Sequence, residues 1–343
     1  MLAQSLIIRG NFMIKIFDCT LREGGYVNDW NFQYSNIKKI LSNLVLANID
    51  YVECGFLKSC DYNNDKTLFS AIEDLQNLEI ELKKTKLALM VNLGEYPIER
   101  FPYCNDENIF IRIAFKKNQI KEAIDYSKIL KEKGYNIFLN PMHTITYSSN
   151  ELLDLINLAN NLKPKGFTIV DTTGEMREKD LVLYFNLIDS NLDKDISLGF
   201  HSHNNLQLSF SNSQCLLKIC KDRELIIDTT ISGIGRGAGN LCTELIIRHL
   251  NDNYNKNYDI NPIIKIIDEQ INPIFKDTPC GYSIFYYLSA VNSCHPNYAK
   301  YLMNKGNLSL ETIDYIFKRI PQNKKLSFDI DLIEKLFADA KNN

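Results

Sequence analysis

No stretch of this 343-residue chain approaches the ~18 uninterrupted apolar residues of a membrane helix, so no membrane partner is expected. Long basic runs are also missing. With 39 Lys+Arg against 42 Asp+Glu, the formal charge is −3, which argues against nucleic-acid binding. Met1 to Asn11 holds one Arg and a short apolar stretch but no small-residue cleavage site, so it does not read as a signal peptide. C-x-x-C is absent. The nine Cys are scattered without a framework, as expected for reduced thiols in a cytoplasmic protein, where each serves as a small buried hydrophobe. A hydrophobic content of 45% and a charged content of 24% exclude disorder, collagen and a coiled-coil rod.

What is present is an alternation. β-rich runs occur at Ile14–Cys19, Tyr51–Gly55, Lys86–Asn92, Ile109–Ala114, Asn136–Pro141, Phe167–Asp171, Ser197–His203 and Leu225–Ser232. Between most of them apolar residues recur at helical spacing, as in Ile37, Ile40, Leu41, Leu44 and Val45, or Leu152, Leu155, Ile156 and Ala159. Strands alternating with helices imply parallel βαβ units, and eight units imply closure. The expected fold class is therefore α/β: a (β/α)₈ TIM barrel over residues 13–250 with a C-terminal helical extension, residues 259–343, packed on the barrel. The third unit is the weakest, because Leu93 to Asn108 contains Pro97 and Pro102. Asn251–Tyr258 reads as a polar linker, and everything after Pro262 as helices. Residues 1–12 read as an optional extension or an overlong start.

In such a barrel the active site forms at the C-terminal ends of the strands. Functional residue types gather there. The first strand runs into Asp18-Cys19-Thr20-Leu21-Arg22-Glu23-Gly24-Gly25-Tyr26, and the sixth into Asp171-Thr172-Thr173-Gly174. The seventh runs into His201-Ser202-His203-Asn204, and the eighth into Gly233-Ile234-Gly235-Arg236-Gly237-Ala238-Gly239-Asn240. His201 and His203 project to the same side of a strand, which suits either a metal site or a hydrogen-bonded pair. Glu23 and Asn240 offer oxygen ligands, Glu23 alternatively pairing with Arg22. Two imidazoles with oxygen ligands and no thiolate favour Mn²⁺ or Mg²⁺, with Co²⁺ or Zn²⁺ as alternatives. Arg22 beside a cation would stabilise a developing enolate oxygen, or else form a structural ion pair. The glycine loop suits phosphate binding or a close backbone approach. Asp171 suits substrate orientation, ligation through water, or a helix cap.

Asp-x-Thr-Leu-Arg-Glu-Gly, His-Ser-His-Asn and Gly-Ile-Gly-Arg-Gly-Ala-Gly-Asn-x-x-Thr-Glu, in that order over Ile14–Leu250, resemble the motifs of the DRE-TIM metallolyase superfamily. That group includes the 4-hydroxy-2-oxovalerate aldolases, hydroxymethylglutaryl-CoA lyase and the isopropylmalate-type synthases. The resemblance implies a divalent metal, Mn²⁺ foremost, held by Glu23, His201, His203 and Asn240. It also implies Arg22 as enolate stabiliser and Asp171 and Thr173 at the substrate. The aldolases are the nearest match: the glycine loop lacks the Cys of the CoA lyase, and Gly24-Gly25-Tyr26 replaces the synthases' Gly-Glu-Gln. Tyr282 and Tyr286 are similar to the aldolase tail, in which a tyrosine reaches back into the site, Tyr282 then acting in catalysis and Tyr286 in substrate binding.

The implied activity is a metal-dependent aldolase that cleaves or forms a 4-hydroxy-2-oxo acid through a pyruvate enolate. Its partners would be a 2-oxo acid and an aldehyde, with an acylating aldehyde dehydrogenase as a protein partner and a homo-oligomeric assembly. One departure is Tyr26, a candidate catalytic residue, which stands where those aldolases carry an acid/base His; an unperturbed phenol (pKa about 10) is a poor base at neutral pH, so either a neighbour lowers it or another group carries the proton. The alternatives are an acyl-CoA-dependent condensing synthase and a non-catalytic barrel subunit. Phe56, Lys58 and Asn92, near other strand ends, would meet a polar or sugar-derived aldehyde.

Overall fold

The computed structural model describes residues 13–306 and 308–341; the reading of residues 1–12 lies outside them. Eight parallel strands form the barrel: β1 (Ile14–Asp18), β2 (Tyr51–Leu57), β3 (Lys86–Asn92), β4 (Ile109–Phe115), β5 (Asn136–Pro141), β6 (Gly166–Asp171), β7 (Ser197–Ser202) and β8 (Leu225–Thr229). Each pairs with its sequence neighbour, and β1 pairs with both β2 and β8, which closes the sheet. The expected TIM barrel with C-terminal helices is what the chain forms.

Closure follows from patterning. Strands covered on both faces are apolar throughout, and all six residues of β6 are buried. The connecting helices bury one stripe each. Tyr34–Leu46 buries Ile37, Ile40, Leu41, Leu44 and Val45. Ser149–Leu162 starts at a capping box, in which the Ser148 amide donates to Glu151 Oε2 at 2.8 Å. Two units lack an α-helix. β2 leads through a short ladder at Leu68–Phe69 and a 3₁₀ segment, Ile72–Leu78, and β3 through a 3₁₀ turn, Ile98–Arg100. The Pro-containing segment was expected to be weak, and it is.

Inside the barrel, Phe17, Tyr51, Phe110 and Phe138 fill the lower layer around Ala88 and Ile226. Phe17 stacks on Tyr51 with ring centroids 5.1 Å apart. The layer above is charged: Glu53, Arg112 and Asp228 all point inward and are at most 3% exposed. A bulge in β2 between Glu53 and Gly55 resets the alternation, so that Glu53 and Phe56 both face the interior. Gly55 takes φ 155°, and a Cβ there would lie 2.0 Å from the Thr67 carbonyl oxygen.

The linker begins later than expected. The helix Thr243–Tyr254 covers Asn251–Tyr254 and stops where Asn255 turns left-handed, at φ 53°. Ile260–Ile266 then packs Ile263 and Ile266 into the barrel's own core. The helices Ile284–Val291, Pro296–Lys305, Leu310–Arg319 and Ile330–Lys341 have a separate core around Tyr298, Leu302, Ile316 and Phe317. This tail meets the C-terminal ends of the strands. Ser293 Oγ donates to the Glu175 carboxylate, Lys300 Nζ reaches the Tyr26 carbonyl at 3.4 Å, and Cys280 Sγ lies 3.4 Å from the Gly235 carbonyl.

Candidate active site

β1 ends at Asp18, whose carboxylate accepts from the Thr20 amide (3.0 Å) and the Thr243 hydroxyl (2.7 Å). These bonds start a single helical turn, Thr20–Glu23, that swings Arg22 and Glu23 over the barrel interior. Arg22 Nε donates to Glu53 Oε2 at 2.7 Å, and its Nη1 pairs with Glu23 Oε1. From β7, His201 places Nε2 3.3 Å from Glu23 Oε1, while its Nδ1 donates to Asp228 Oδ2 at 2.9 Å. Arg112 pairs with that same Asp228 oxygen and lies 3.5 Å from Glu53. His203 follows β7, its ring 5.3 Å from that of His201. All these groups are buried.

Glu23, His201 and His203 each bring one ligand atom within 4.8 Å of the others. Among the described residues Glu23 Oε2, His203 Nδ1 and Asn240 Oδ1 are buried without a hydrogen-bond partner, which leaves ligand capacity unspent where it costs most. A second triad, Cys19, His201 and Asp228, meets the same distance criterion. Arg112 occupies it, with Nη1 3.2 Å from Cys19 Sγ and Nη2 on Asp228.

The electrostatics match these roles. Burial opposes ionisation of Glu23, but Arg22, His203 and His201 outweigh it and hold the carboxyl well below its usual range. Burial drives the His203 pKa down to about 3, so its imidazole is neutral at neutral pH. Burial also disfavours the His201 cation, yet its hydrogen bonds to Asp228 and Glu23 prevail and raise its pKa. The Tyr26 phenol is pushed up, chiefly by burial.

A cavity of about 340 Å³ opens above the cluster. Arg22, Glu23, Tyr26, His201 and His203 line it, as do Phe56 and Asn92. The Arg236 guanidinium stacks on Tyr26, 5.1 Å from the ring centroid. Asn240 sits behind the ligand set: a Cβ on Gly235 would fall 2.0 Å from Asn240 Nδ2 and 3.3 Å from Glu23 Cβ. The glycine loop therefore lets backbone approach Glu23 closely.

Other expected residues lie elsewhere. Asp171 accepts from the Glu175 and Met176 amides (3.0 and 3.2 Å), and Thr173 Oγ1 donates to Glu175 Oε1 at 2.7 Å. Val170 and Thr172 face the cavity instead, because alternate residues take opposite faces of β6 and its extension. Asp171 thus caps its own loop, and burial lifts its pKa to about 7. Tyr282, just before the helix Ile284–Val291, is 59% exposed and does not line the cavity. Tyr286 lines a neighbouring cavity of about 450 Å³. Lys58 pairs with Glu95 at 3.1 Å and is partly exposed.

The structure adds residues that the motifs did not name. Glu53, Arg112 and Asp228 are charged positions inside apolar runs, which is itself a signal. His295 arrives from the tail and carried no local signal.

The HMGL-like family model matches residues 13–269.

The chain belongs to the HMGL-like family.

Among curated relatives it is 26% identical to the 4-hydroxy-2-oxovalerate aldolase of Carboxydothermus hydrogenoformans over 272 residues, 76% of this chain and 77% of that one. It is 23% identical to the oxaloacetate decarboxylase of Mycobacterium tuberculosis over 243 residues, 68% and 69% of the two chains. Among solved structures, the N-terminal domain of a proposed aldolase from Bacteroides vulgatus superposes with a TM-score of 0.70. That comparison covers 85% of this chain and 97% of the other at 26% identity. Family and fold together make this HMGL-like protein a member of the DRE-TIM aldolases and lyases.

Proposed function

We propose that this HMGL-like protein is a divalent-metal-dependent carbon–carbon lyase that cleaves or forms a 4-hydroxy-2-oxo acid through a pyruvate enolate. The observation that carries this reading is the convergence of Glu23, His201, His203 and Arg22 at one end of one cavity. Glu23, His201 and His203 would hold the cation, with Asn240 Oδ1 as a further oxygen, and two imidazoles with oxygen ligands and no thiolate suit Mn²⁺ or Mg²⁺, with Co²⁺ or Zn²⁺ as alternatives. Bound there, the cation would polarise the 2-oxo group as a Lewis acid. The charges are consistent with that. With His201 and His203 both neutral, as ligation of a cation requires, Arg22 and Arg112 against Glu23, Glu53 and Asp228 leave one negative charge in this cluster. A dication reverses that to one positive charge, which the carboxylate of a 2-oxo acid cancels.

In the cleavage direction the 4-hydroxyl gives its proton to solvent, the C3–C4 bond breaks to release the aldehyde, its electron pair passes into the enolate, and C3 then takes a proton from solvent to give pyruvate. Arg22 is held toward that charge by its bond to Glu53 and stays cationic, since burial is outweighed by Glu23 and Glu53. Tyr26 stays a phenol and so donates hydrogen bonds rather than accepting the proton. The similarity to an oxaloacetate decarboxylase supports a second reading, loss of carbon dioxide from a 2-oxo diacid to leave the same enolate.

The test is pyruvate release from a panel of 4-hydroxy-2-oxo acids and from oxaloacetate. Release should require Mn²⁺, stop with chelator and return on re-addition. Protein that takes up no divalent metal sinks the proposal, and release from oxaloacetate alone favours the decarboxylase.

Asp228→Asn keeps the shape but weakens the orienting bond to His201 Nδ1. Mn²⁺ affinity should fall about 10–100-fold by titration, and unchanged affinity would remove Asp228 from that role.

A further inference from the structure

The tail brings one more polar group to the cavity. His295 precedes the helix Pro296–Lys305 and lines the same cavity as Glu23, His201 and His203. Its position is built. The His295 amide donates to the Lys325 carbonyl at 2.7 Å, and the neighbouring Ser293 is tied to Glu175 on the barrel. Its Nδ1 accepts the Asn297 amide at 3.2 Å. A neutral imidazole that accepts at Nδ1 carries its proton on Nε2. Nε2 is directed to the Arg236 side of the cavity, 3.4 Å from Arg236 Nη1. In that tautomer Nε2 and Arg236 Nη1 both present N–H groups, so neither satisfies the other and the two donors can converge on one acceptor in the cavity.

The surroundings keep this imidazole neutral. Burial disfavours its cation most, and Arg236, His143, His203 and Lys116 all add in the same direction, holding its pKa well below the usual value. His143 is itself lowered to about 4, by burial first and by Arg236. The N-terminus of the helix works in the same sense, because its positive end disfavours a cation. A neutral imidazole with its N–H aimed into a site is an electrophile of the kind that polarises carbonyl groups in other enzymes.

We propose that His295 is a catalytic residue of this site, donating its Nε2–H to the oxygen on C4, the oxygen that belongs to the aldehyde half of the substrate. The proposal rests on the lyase reading and assigns a second electrophile to it. Arg22 faces the enolate oxygen, and His295 faces the oxygen across the bond that breaks. In the forming direction, the enolate pair makes the C3–C4 bond and the carbonyl pair moves onto the aldehyde oxygen. That oxygen rests on Nε2–H while it takes one proton from solvent. His295 thus supplies from the tail a polar contact at the reacting oxygen, in a chain that has Tyr26 at the position after Glu23-Gly24-Gly25.

Two reactions separate the roles. Deuterium exchange at C3 of pyruvate, with Mn²⁺ and no aldehyde, needs the enolate machinery alone, whereas cleavage of a 4-hydroxy-2-oxo acid needs His295 as well. His295→Leu should lower kcat/KM for cleavage about 10²-fold while exchange stays within about twofold of wild type. His295→Gln, whose amide nitrogen reaches the Nε2 position, should recover cleavage to within about tenfold of wild type. The proposal falls if His295→Leu cleaves normally, if it loses exchange and cleavage equally, or if Gln is as poor as Leu. Wild-type protein that exchanges no pyruvate deuterium would instead overturn the lyase reading on which the proposal rests.

Discussion

Arg22→Ala should lower kcat for pyruvate release by about 10²–10³ while the barrel still folds, because loss of one preformed partner of a developing oxyanion has that size of effect. The geometry gives the expectation its asymmetry. Arg22 is 6% exposed, bonded to Glu53 through Nε and to Glu23 through Nη1, so its guanidinium is fixed before any substrate arrives. Folding suffers less, because Glu53 keeps Arg112 at 3.5 Å. Glu23 keeps His201 at 3.3 Å, so neither carboxylate is left alone. Lysine at position 22 would keep the charge but lose the fork that reaches both carboxylates, so Arg22→Lys should also be well below wild type. Steady-state rates together with urea midpoints check this. A variant that loses stability in proportion to activity would make Arg22 a structural residue.

Arg112→Met should do the opposite, with stability falling by about 3–5 kcal/mol, as when one partner of a buried ion pair is removed. Arg112 is 1% exposed at the centre of the barrel, paired with Asp228 and stacked over Phe17 at 4.3 Å. Glu53 would keep Arg22 and Asp228 would keep His201, but among the described residues Glu53 Oε1 and Asp228 Oδ1 already lack partners, and the barrel's centre would lose both the cation between these carboxylates and its packing on Phe17. Urea unfolding followed by circular dichroism measures the loss. A change below about 1 kcal/mol would mean that the interior carboxylates find protons or water instead.

The sequence brought Arg22, Glu23, His201 and His203 to one end of the barrel, where they do lie together, and it placed the residues that enclose them less well. Arg22, Glu23, His201 and His203 were legible because each lies at or just past the C-terminal end of a strand, and those ends of a closed barrel share one face. Asp171 and Thr173 sit at such an end too, but one-residue alternation hands the cavity to Val170 and Thr172. Polar composition marks the end of a strand without marking its inward face. Glu53 and Asp228 could have been found as charges inside apolar runs, except that the bulge at Gly55 shifts the phase within β2. Tyr282 was taken toward the site by similarity of the tail, and the tail turned it to solvent.

The order of strands and helices, the closed parallel sheet and the residues at its mouth were determined by the chain's own short-range pattern. Periods of two and of 3.6 residues are set by backbone geometry and are visible in neighbouring letters. Only the tertiary structure decided that Asp228 bonds His201, that Arg112 pairs with Asp228 inside the barrel, and that His295 meets Arg236 from 59 positions further along the chain. Those contacts depend on how separately formed elements pack, and packing is a property of shapes in three dimensions that no local repeat encodes.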